Sequence, residues 1–208
     1  MVRVKELLGQ TLHNSGLRKM CCRYHIKESA LDFLRRLGAD KLKVCEVHPG
    51  DSAPAITAGD ANPVVTHLQW GIGSRCKSLV INARSETLWE KPMFRESVIR
   101  RRCVLPADCF YEWDRNKRKN SFWPRAGGTL FIAGLYNETG CFVIITKNAD
   151  SVMRPVHDRM PVCLQENLLC DWLFDVSKAR AVLANDEVLL RCEKPAEQGS
   201  LLDWALHR

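Results

Sequence analysis

The dipeptide Met20-Cys21 places a cysteine directly after an internal methionine, at the head of the segment Met20-Cys21-Cys22-Arg23-Tyr24. If the mature chain begins at Cys21, that residue carries a free α-amine and a thiol on neighbouring carbons. Such a 1,2-aminothiol traps aldehydes, because the amine forms a Schiff base and the thiol then closes a five-membered thiazolidine ring. An α-amine has a pKa of about 7.7 to 8.0, so part of it is neutral and nucleophilic near neutral pH. An internal Cys21 lacks this chemistry.

Two further segments carry polar side chains next to apolar or aromatic residues. Asn82 and Arg84 directly follow the apolar run 79–81, so we expect them at the end of a strand, where a site can form. Glu112 lies among aromatic residues, and a strand there would point Phe110 and Glu112 to the same side of the sheet. A glutamate in this position can also face solvent or pair with an arginine.

His157 belongs to a fourth chemical segment, the compact polar cluster 156–161. A histidine that titrates near neutral pH suits proton transfer, although a structural role is common for a single histidine. Cys21 has a structural alternative as well, as a small buried hydrophobic residue. Each segment taken alone is a weak signal, and the four together are a much stronger one.

The elements that must position these segments are short strands in the middle of the chain and helices near both ends. We predict a first helix over 28–37 that stops at Gly38, a helix-compatible stretch 86–100 broken by Pro92, and helices around Leu169 and Val182. The predicted strands are 63–70, 78–82, 102–105, 109–113, 129–135 and 141–146, and the basic loop 114–120 is predicted to be a hairpin connection. This order predicts a single α+β domain with a curled, mostly antiparallel, barrel-like sheet flanked by helices.

Composition narrows the functional classes. The 208 residues carry a net charge of +7, with basic clusters at 41–43, 100–102 and 115–119, which favours a polyanionic partner. The ten cysteines are scattered, and none forms the C-x2-C pair of common structural zinc sites, so we expect reduced thiols, no metal and no cofactor in a cytoplasmic protein. Residues 1–20 lack the long apolar core of a secretory signal or membrane span.

The chemical segments, in their order along the chain, resemble those of the SRAP family, the SOS response-associated peptidase proteins that shield abasic sites in single-stranded DNA. The resemblance extends from Met20 to about Asp175. Its motifs are Met20-Cys21-Cys22-Arg23, Pro49-Gly50, Trp70-Gly71, Asn82-Ala83-Arg84-Ser85-Glu86-Thr87, Phe110-Tyr111-Glu112-Trp113 and His157-Asp158-Arg159-Met160-Pro161. We therefore expect residues 20–208 to form a SRAP-like domain, and residues 1–19 to be a leader or the product of a start assigned too early.

The resemblance implies a function for each chemical segment. Cys21, exposed as a new amino terminus, would link to the open-chain aldehyde of an abasic deoxyribose through a thiazolidine. Asn82 would orient the sugar or the cysteine amine, and Glu112 would carry protons in Schiff-base formation and its reversal. His157 would protonate the sugar ring oxygen and favour the open aldehyde. The family name also implies self-cleavage at Met20-Cys21, which would use the same thiol and Glu112.

The resemblance also implies a partner, single-stranded DNA that contains abasic sites, bound by a protein that we expect to be a monomer. The DNA-binding residues it implies are Arg23, Pro49, Trp70, Arg84, Thr146 and Arg159. Arg23 and Arg84 would hold flanking phosphates. Trp70, next to Gly71, would offer a ring face to a base beside the lesion, or would belong to the core.

Some positions depart from the family pattern. The leader 1–19 blocks the amine of Cys21, so activity requires its removal or a true start at Met20. An initiator methionine before a residue as small as cysteine is readily removed. Cys22 stands where glycine is usual, and a second thiol there can compete for the aldehyde or oxidise with Cys21. His48 precedes Pro49-Gly50 in place of a more typical residue, and the stretch between Gly71 and Asn82 is short.

Two other functions fit part of the same pattern. A conventional cysteine hydrolase would use Cys21, His157 and Asn82 for acyl transfer, and its activity would survive the leader because it needs the thiol alone. A non-enzymatic single-strand binding module would need the basic loops alone, and its DNA association would be fully reversed by salt. The second alternative leaves Glu112 and His157 without a purpose.

Overall fold

The structure, a computed structural model, describes residues 23–73, 78–184 and 188–195. Met20, Cys21, Cys22 and the proposed leader 1–19 lie outside these ranges. The strands are β1 Tyr24–Ile26, β2 Cys45–Val47, β3 Ser52–Ala58, β4 Pro63–Trp70, β5 Ile72–Gly73, β6 Leu79–Val80, β7 Asn82–Arg84, β8 Arg102–Ala107, β9 Cys109–Trp113, β10 Lys119–Pro124, β11 Leu130–Tyr136, β12 Cys141–Asn148, β13 Arg159–Pro161, β14 Cys163–Leu164 and β15 Leu190–Glu193. The helices are α1 Glu28–Arg36, α2 Pro92–Arg100, α3 Leu169–Phe174 and α4 Ala179–Ala184, with a 3-10 turn at Glu166–Leu168.

The α+β prediction is confirmed, and so are most of the predicted elements. The first helix, the strand 63–70 and the strand 109–113 lie where the pattern predicts them. The helix-compatible stretch 86–100 behaves differently, because Pro92 begins α2 instead of breaking it. Proline at the first helical position costs no hydrogen bond, since that N–H has no intrahelical partner, and its fixed φ suits a helix start.

Five strands form a fully antiparallel sheet, called sheet A here, in the order β15-β10-β9-β1-β2. The loop 114–120 contains the hairpin turn between β9 and β10, as predicted, and β10 begins within it at Lys119. The strand β1 pairs with β9 so that Tyr24 lies opposite Phe110. Sheet A therefore joins the chain that follows Cys21 to the strand that carries Glu112.

Eight strands form the second sheet, called sheet B, in the order β13-β12-β4-β3-β8-β11-β14 with β7 attached to β12. The strand β12 pairs with β4 on one side and with β11 on the other, so five of the strands close into a ring. This closure is the curled, barrel-like sheet that the strand order predicts. The pairings of β12 with β4 and with β7 are parallel, and the others in sheet B are antiparallel.

Side chains along the strands of sheet B point alternately to its two faces, and each face packs into a separate hydrophobic cluster. One set of side chains, including Leu105, Ile132 and Ile144, packs with the inward residues of sheet A. The residues between them, such as Val104 and Val143, pack against the helices instead. Because successive strand residues point to opposite faces, one sheet can serve both clusters.

The basic cluster 100–102 does not form a surface patch. Arg102 is buried, and its guanidinium donates to the carbonyl oxygens of Val98 and Ile99 at the end of α2 and of Trp172 and Leu173 in α3. Burial lowers the pKa of this guanidinium from its ordinary value. Arg101 lies in ion pairs with Glu96 and Glu138. The expectation that this cluster favours a polyanion is therefore wrong for Arg102, which caps two helices.

Within the described ranges, no helix is long and apolar enough to cross a membrane. The same ranges contain no group of three or more His, Cys, Asp or Glu side chains placed to hold a metal ion.

Candidate functional site

The four chemical segments are anchored on one hydrophobic cluster. Its buried members include Tyr24, Ile81, Phe110 and Val156, together with Trp70. Ile81 and Val156 directly precede Asn82 and His157, Tyr24 follows Arg23, and Phe110 lies two residues before Glu112. Segments that are far apart in the sequence are thus held around the same core.

The Trp70 side chain contacts several members of this cluster. Its indole Nε1 donates to the carbonyl oxygen of Ile81 over 3.0 Å, its ring centroid lies 5.4 Å from that of Tyr24, and it stacks on Phe142. Trp70 is fully buried. The prediction that its ring offers a face to a base is therefore wrong for this structure, and the core alternative is the one observed.

Asn82 begins β7, which runs parallel to β12 with Asn82 opposite Ile144. The side chain is half-buried, whereas Arg84 at the end of the same strand is exposed. The chain then turns, with the N–H of Ser85 donating to the carbonyl of Thr146 over 2.8 Å. This strand end matches the predicted position of the segment, although the predicted strand 78–82 is split into β6 and β7.

Glu112 is buried on β9, with an exposed fraction of 2%. As predicted, Phe110 lies on the same face of the strand, turned toward the core. The Trp113 N–H donates to Glu112 Oε2 over 3.3 Å. Asn120, also 2% exposed, lies directly opposite Glu112 on β10.

The position of Arg23 connects this carboxyl to the proposed amino terminus. The Arg23 carbonyl accepts a hydrogen bond from the Tyr111 N–H over 3.0 Å, and Tyr111 directly precedes Glu112. Cys21 lies outside the described residues, two positions before Arg23.

His157 is held in a tight loop, with 8% of its side chain exposed. Its main-chain N–H donates to the Met153 carbonyl over 3.0 Å. Its Nδ1 lies 3.1 Å from the main-chain nitrogen of Arg159 and 2.8 Å from Asp158 Oδ1. The first contact requires a lone pair on Nδ1 and the second requires a proton there, so the two contacts correspond to alternative hydrogen placements at Nδ1.

Arg159 and Thr146 hold two site segments together. The Arg159 guanidinium donates to both carboxylate oxygens of Glu86, to Asn148 Oδ1 and to the Thr146 carbonyl, and 11% of its side chain is exposed. Thr146 is fully buried. Direct DNA contact, predicted for both residues, is wrong for Thr146 in this conformation because its side chain is covered. The predicted DNA contact of Arg159 stays a prediction, and its guanidinium is paired with Glu86 here. The Arg159 hydrogen bond lowers the pKa of Glu86 from its ordinary value.

Pro49 lies in the turn 48–51, which is fastened to the backbone of Trp70. Gly50 donates to the Trp70 carbonyl over 2.7 Å, and the Trp70 N–H donates to the Asp51 carbonyl over 2.8 Å. Gly50 has a φ of +94°, which favours glycine because a Cβ is strained there. Pro49 itself is half-buried at this turn.

The Arg23 side chain is 31% exposed and lies between Glu46 and Trp113. Its Nη1 is 3.3 Å from Glu46 Oε2, and its guanidinium carbon is 5.0 Å from the centre of the Trp113 ring. Glu46 also accepts a hydrogen bond from Lys119, which lowers the pKa of Glu46. No local pattern marks Glu46 or Asn120, because cross-strand pairing brings them opposite His25 and Glu112 from distant positions in the sequence.

The chain is similar to known proteins in sequence and in fold. A family model described as SOS response associated peptidase (SRAP) matches residues 20–198. The abasic site processing protein YoqW of Bacillus subtilis is 34% identical over 179 residues, which cover 74% of this chain and 80% of that protein. The abasic site processing protein YobE of the same organism is 33% identical over 179 residues, covering 74% of this chain and 82% of that protein. A crystal structure of a Bacteroides thetaiotaomicron protein shares the fold with a TM-score of 0.70 at 23% identity, covering 85% of this chain and 93% of that chain.

Proposed function

The chain belongs to the SRAP family, and on that premise we propose that it processes abasic sites in DNA through a covalent link to Cys21. The family match and the relatives named for abasic site processing support the general activity. One observation supports the chemistry: the Arg23 carbonyl binds the N–H of Tyr111, next to the buried carboxyl of Glu112. Arg23 lies two positions after Cys21 in the sequence, so the contact pairs the described start of the chain with the strand that carries this carboxyl.

The proposed link forms in two steps. The free amine of Cys21 attacks the open-chain aldehyde of the abasic deoxyribose and releases one water, which leaves an imine. The Cys21 thiol then adds to the imine carbon, its proton passes to the nitrogen, and a thiazolidine ring closes without a further leaving group. Both steps need an unblocked amine, so residues 1–20 must first be absent or removed, by initiation at Met20 with removal of that methionine or by cleavage at Met20-Cys21.

Three side chains supply proton transfer and orientation in this proposal. Glu112 accepts a proton from the attacking amine and delivers it to the hydroxyl that leaves as water. His157 protonates the ring oxygen of the closed sugar, and its Nδ1 contacts with Asp158 and the Arg159 main chain orient the imidazole. Asn82, half-buried at the start of β7, orients the sugar.

DNA contact in this proposal centres on the exposed cations near the site. Arg84 is exposed at the end of β7 and binds a phosphate beside the lesion. Arg23 binds a second phosphate after exchange with Glu46. We propose single-stranded DNA as the substrate, because a lesion drawn toward buried groups such as Glu112 must leave the base stack.

The decisive experiment compares three forms of the protein on an oligonucleotide with one abasic site. Protein that begins at Cys21 is expected to give a heat-stable adduct, and the full 208-residue chain is expected to give none. A matched form that begins with Ser in place of Cys21 retains the amine but lacks the thiol, so its Schiff base survives denaturation only after borohydride reduction. The absence of adduct from folded, Cys21-initiated protein would overturn the proposal.

The same forms test the hydrolase alternative. A conventional cysteine hydrolase needs the Cys21 thiol but no free amine, so the full chain would cleave a peptide or ester substrate as well as the shortened one. We expect no such activity. Intact mass measurement of the protein after expression reports whether processing occurs between Met20 and Cys21.

A further inference from the structure

The outer face of sheet A, which points away from the core, carries three aromatic rings. Tyr24, Phe110 and Phe122 point inward, so strand alternation turns Tyr111, Trp113 and Trp123 to the opposite face. Trp113 and Trp123 are partly exposed, and Tyr111 is 7% exposed. The proposed reaction uses none of these rings.

Each ring on this face has a cation beside it. The guanidinium carbon of Arg23 lies 5.0 Å from the centre of Trp113, and Lys119 Nζ lies 3.5 Å from the centre of Tyr111. Trp123 has two cations, with Lys27 Nζ at 4.6 Å and the guanidinium carbon of Arg191 at 5.5 Å. Cations and aromatic rings therefore alternate from β1 across the sheet to β15.

The charge of the face is positive. The face and the adjoining hairpin together carry seven cations and three carboxylates. The cations are Arg23, Lys27, Lys119 and Arg191 on the face and Arg115, Lys117 and Arg118 in the hairpin, and the carboxylates are Glu46, Asp114 and Glu193. Glu46 contacts Arg23 and Lys119, Asp114 contacts Arg118, and Glu193 contacts Arg191. These contacts lie at the partly exposed surface, where ion pairs are weak and phosphates can compete for the same cations.

Single-stranded nucleic acid has the chemistry that fits such a face. Its bases stack on aromatic rings without regard to sequence, and its phosphates bind cations placed between the rings. The face approaches the candidate site at Arg23, which lies two positions after Cys21 in the sequence, whereas Glu112 points to the inner face of sheet A. We propose that the outer face of sheet A binds the single-stranded DNA that flanks the lesion, an inference that rests on the proposed function and extends it.

The test measures reversible binding of an undamaged single-stranded DNA, so that no covalent step contributes. The probe is a fluorescent oligonucleotide of about 20 nucleotides, longer than the 4 to 16 nucleotides that single-strand binding folds typically cover. The variant Lys27→Gln with Arg191→Gln removes the two cations beside Trp123. The matched control, Arg95→Gln with Arg100→Gln, removes two exposed cations from α2, which packs on sheet B.

Each lost phosphate contact lowers the slope of log affinity against log salt by about 0.7 for a single strand. We therefore expect the slope of the K27Q/R191Q variant to fall by about 1.4 and that of the control to stay at the unmodified value. Glu46→Gln releases Arg23 and Lys119 and is expected to tighten binding. Equal salt slopes for the unmodified protein and the two double variants would overturn the inference. An equal fall of the slope in both double variants would overturn it as well. Circular dichroism verifies that each variant is folded.

A second measurement separates this inference from the proposed function. The adduct yield of Cys21-initiated protein on an abasic oligonucleotide of about 4 nucleotides, near the lower limit of single-strand site sizes, is expected to be the same with and without K27Q/R191Q. If the unmodified Cys21-initiated protein forms no adduct, the proposed chemistry is contradicted, and the salt dependence of reversible binding still tests the outer face of sheet A. An unchanged salt slope contradicts the flanking surface and leaves the adduct intact.

Discussion

Trp70 donates its indole N–H to the main-chain carbonyl of Ile81 over 3.0 Å, and both residues are buried. Ile81 directly precedes Asn82, and the Trp70 ring also contacts Tyr24, which follows Arg23. One side chain thus connects the strand that carries Asn82 with the chain that leads to Cys21. Trp70 therefore supports the site from the core, where it cannot stack on a base.

Replacing Trp70 with Phe tests this supporting role. The change leaves the Ile81 carbonyl without its indole donor and opens space beside Tyr24, so we expect a loss of about 2 to 4 kcal/mol in the free energy of unfolding. Urea denaturation measures the loss. Trp89→Phe is the control, because Trp89 is partly exposed beneath Arg180, and we expect it to cost less than about 1 kcal/mol.

The fold was predictable where local pattern decides the structure. The helix α1 has Ala30, Leu31 and Leu34 on its buried side and basic residues in its last turn, which are signals within one short window. The strand β3 gives no such signal, because it contains Pro54 and small residues that are buried on both faces. The closure of sheet B by β12 depends on pairings between distant segments, which no local window contains.

The candidate site was predictable in its residue types and less so in their exposure. Strand alternation correctly placed Glu112 on the same face as Phe110. Thr146 and Arg159 were predicted to bind DNA, yet one is buried and the other binds Glu86. A polar or aromatic residue at a strand end looks the same in the sequence whether the neighbouring strand covers it or not.

Arg102→Met tests the buried cation that joins the ends of α2 and α3. The variant leaves carbonyl oxygens of Val98 and Leu173 without their donor, and we expect a loss of about 2 to 4 kcal/mol in the free energy of unfolding. Arg100→Met changes an exposed side chain on the same helix and should fall within about 0.5 kcal/mol of the unmodified protein. Equal effects of the two changes in urea denaturation would contradict the capping role.

Glu86 gives a pH-dependent contribution to stability. The Arg159 hydrogen bond depresses the pKa of Glu86 in the folded protein below its ordinary value of 4.5. The folded state therefore binds fewer protons there than the unfolded state, so the stabilisation is present above pH 4.5 and is lost as pH falls through the folded pKa. Because Glu86 is 44% exposed, we expect less than about 1 kcal/mol.

The variant Glu86→Gln measures this contribution. The difference in the free energy of unfolding between unmodified protein and variant should be largest near neutral pH and should shrink as the solution becomes more acidic than pH 4.5. Glu90→Gln changes an exposed carboxylate a few residues away and provides the control for the loss of one charge. A difference that stays constant with pH would show that the ion pair with Arg159 does not supply it.

His157→Asn tests the proposed opening of the sugar ring. If His157 protonates the ring oxygen, the variant should form its adduct with an abasic site about 10² to 10⁴ times more slowly. Its reaction with a small open-chain aldehyde should be unchanged, because no ring has to open. Rates from Cys21-initiated protein are compared on the two substrates, and equal slowing on both would assign His157 a different role.

Glu112→Gln tests the proposed proton carrier without a large change in shape. The glutamine retains an oxygen that can accept the Trp113 N–H, so the local backbone keeps its partner. It cannot relay a proton between the Cys21 amine and the leaving hydroxyl, and we expect adduct formation to slow by about 10² to 10⁴. Reversal of the link should slow by a similar factor, because the forward and reverse reactions cross the same transition state.

Glu46→Gln is the matched control for this change, since it makes the same substitution on the outer face of sheet A. At saturating DNA it should leave the adduct rate unchanged, because Glu46 contacts Arg23 and Lys119 and takes no part in proton transfer. Rates are measured on Cys21-initiated protein by denaturing gel electrophoresis. If Glu112→Gln formed and released the adduct as fast as Glu46→Gln, proton transfer in this protein would have to come from another group, and His157 would be the first to examine.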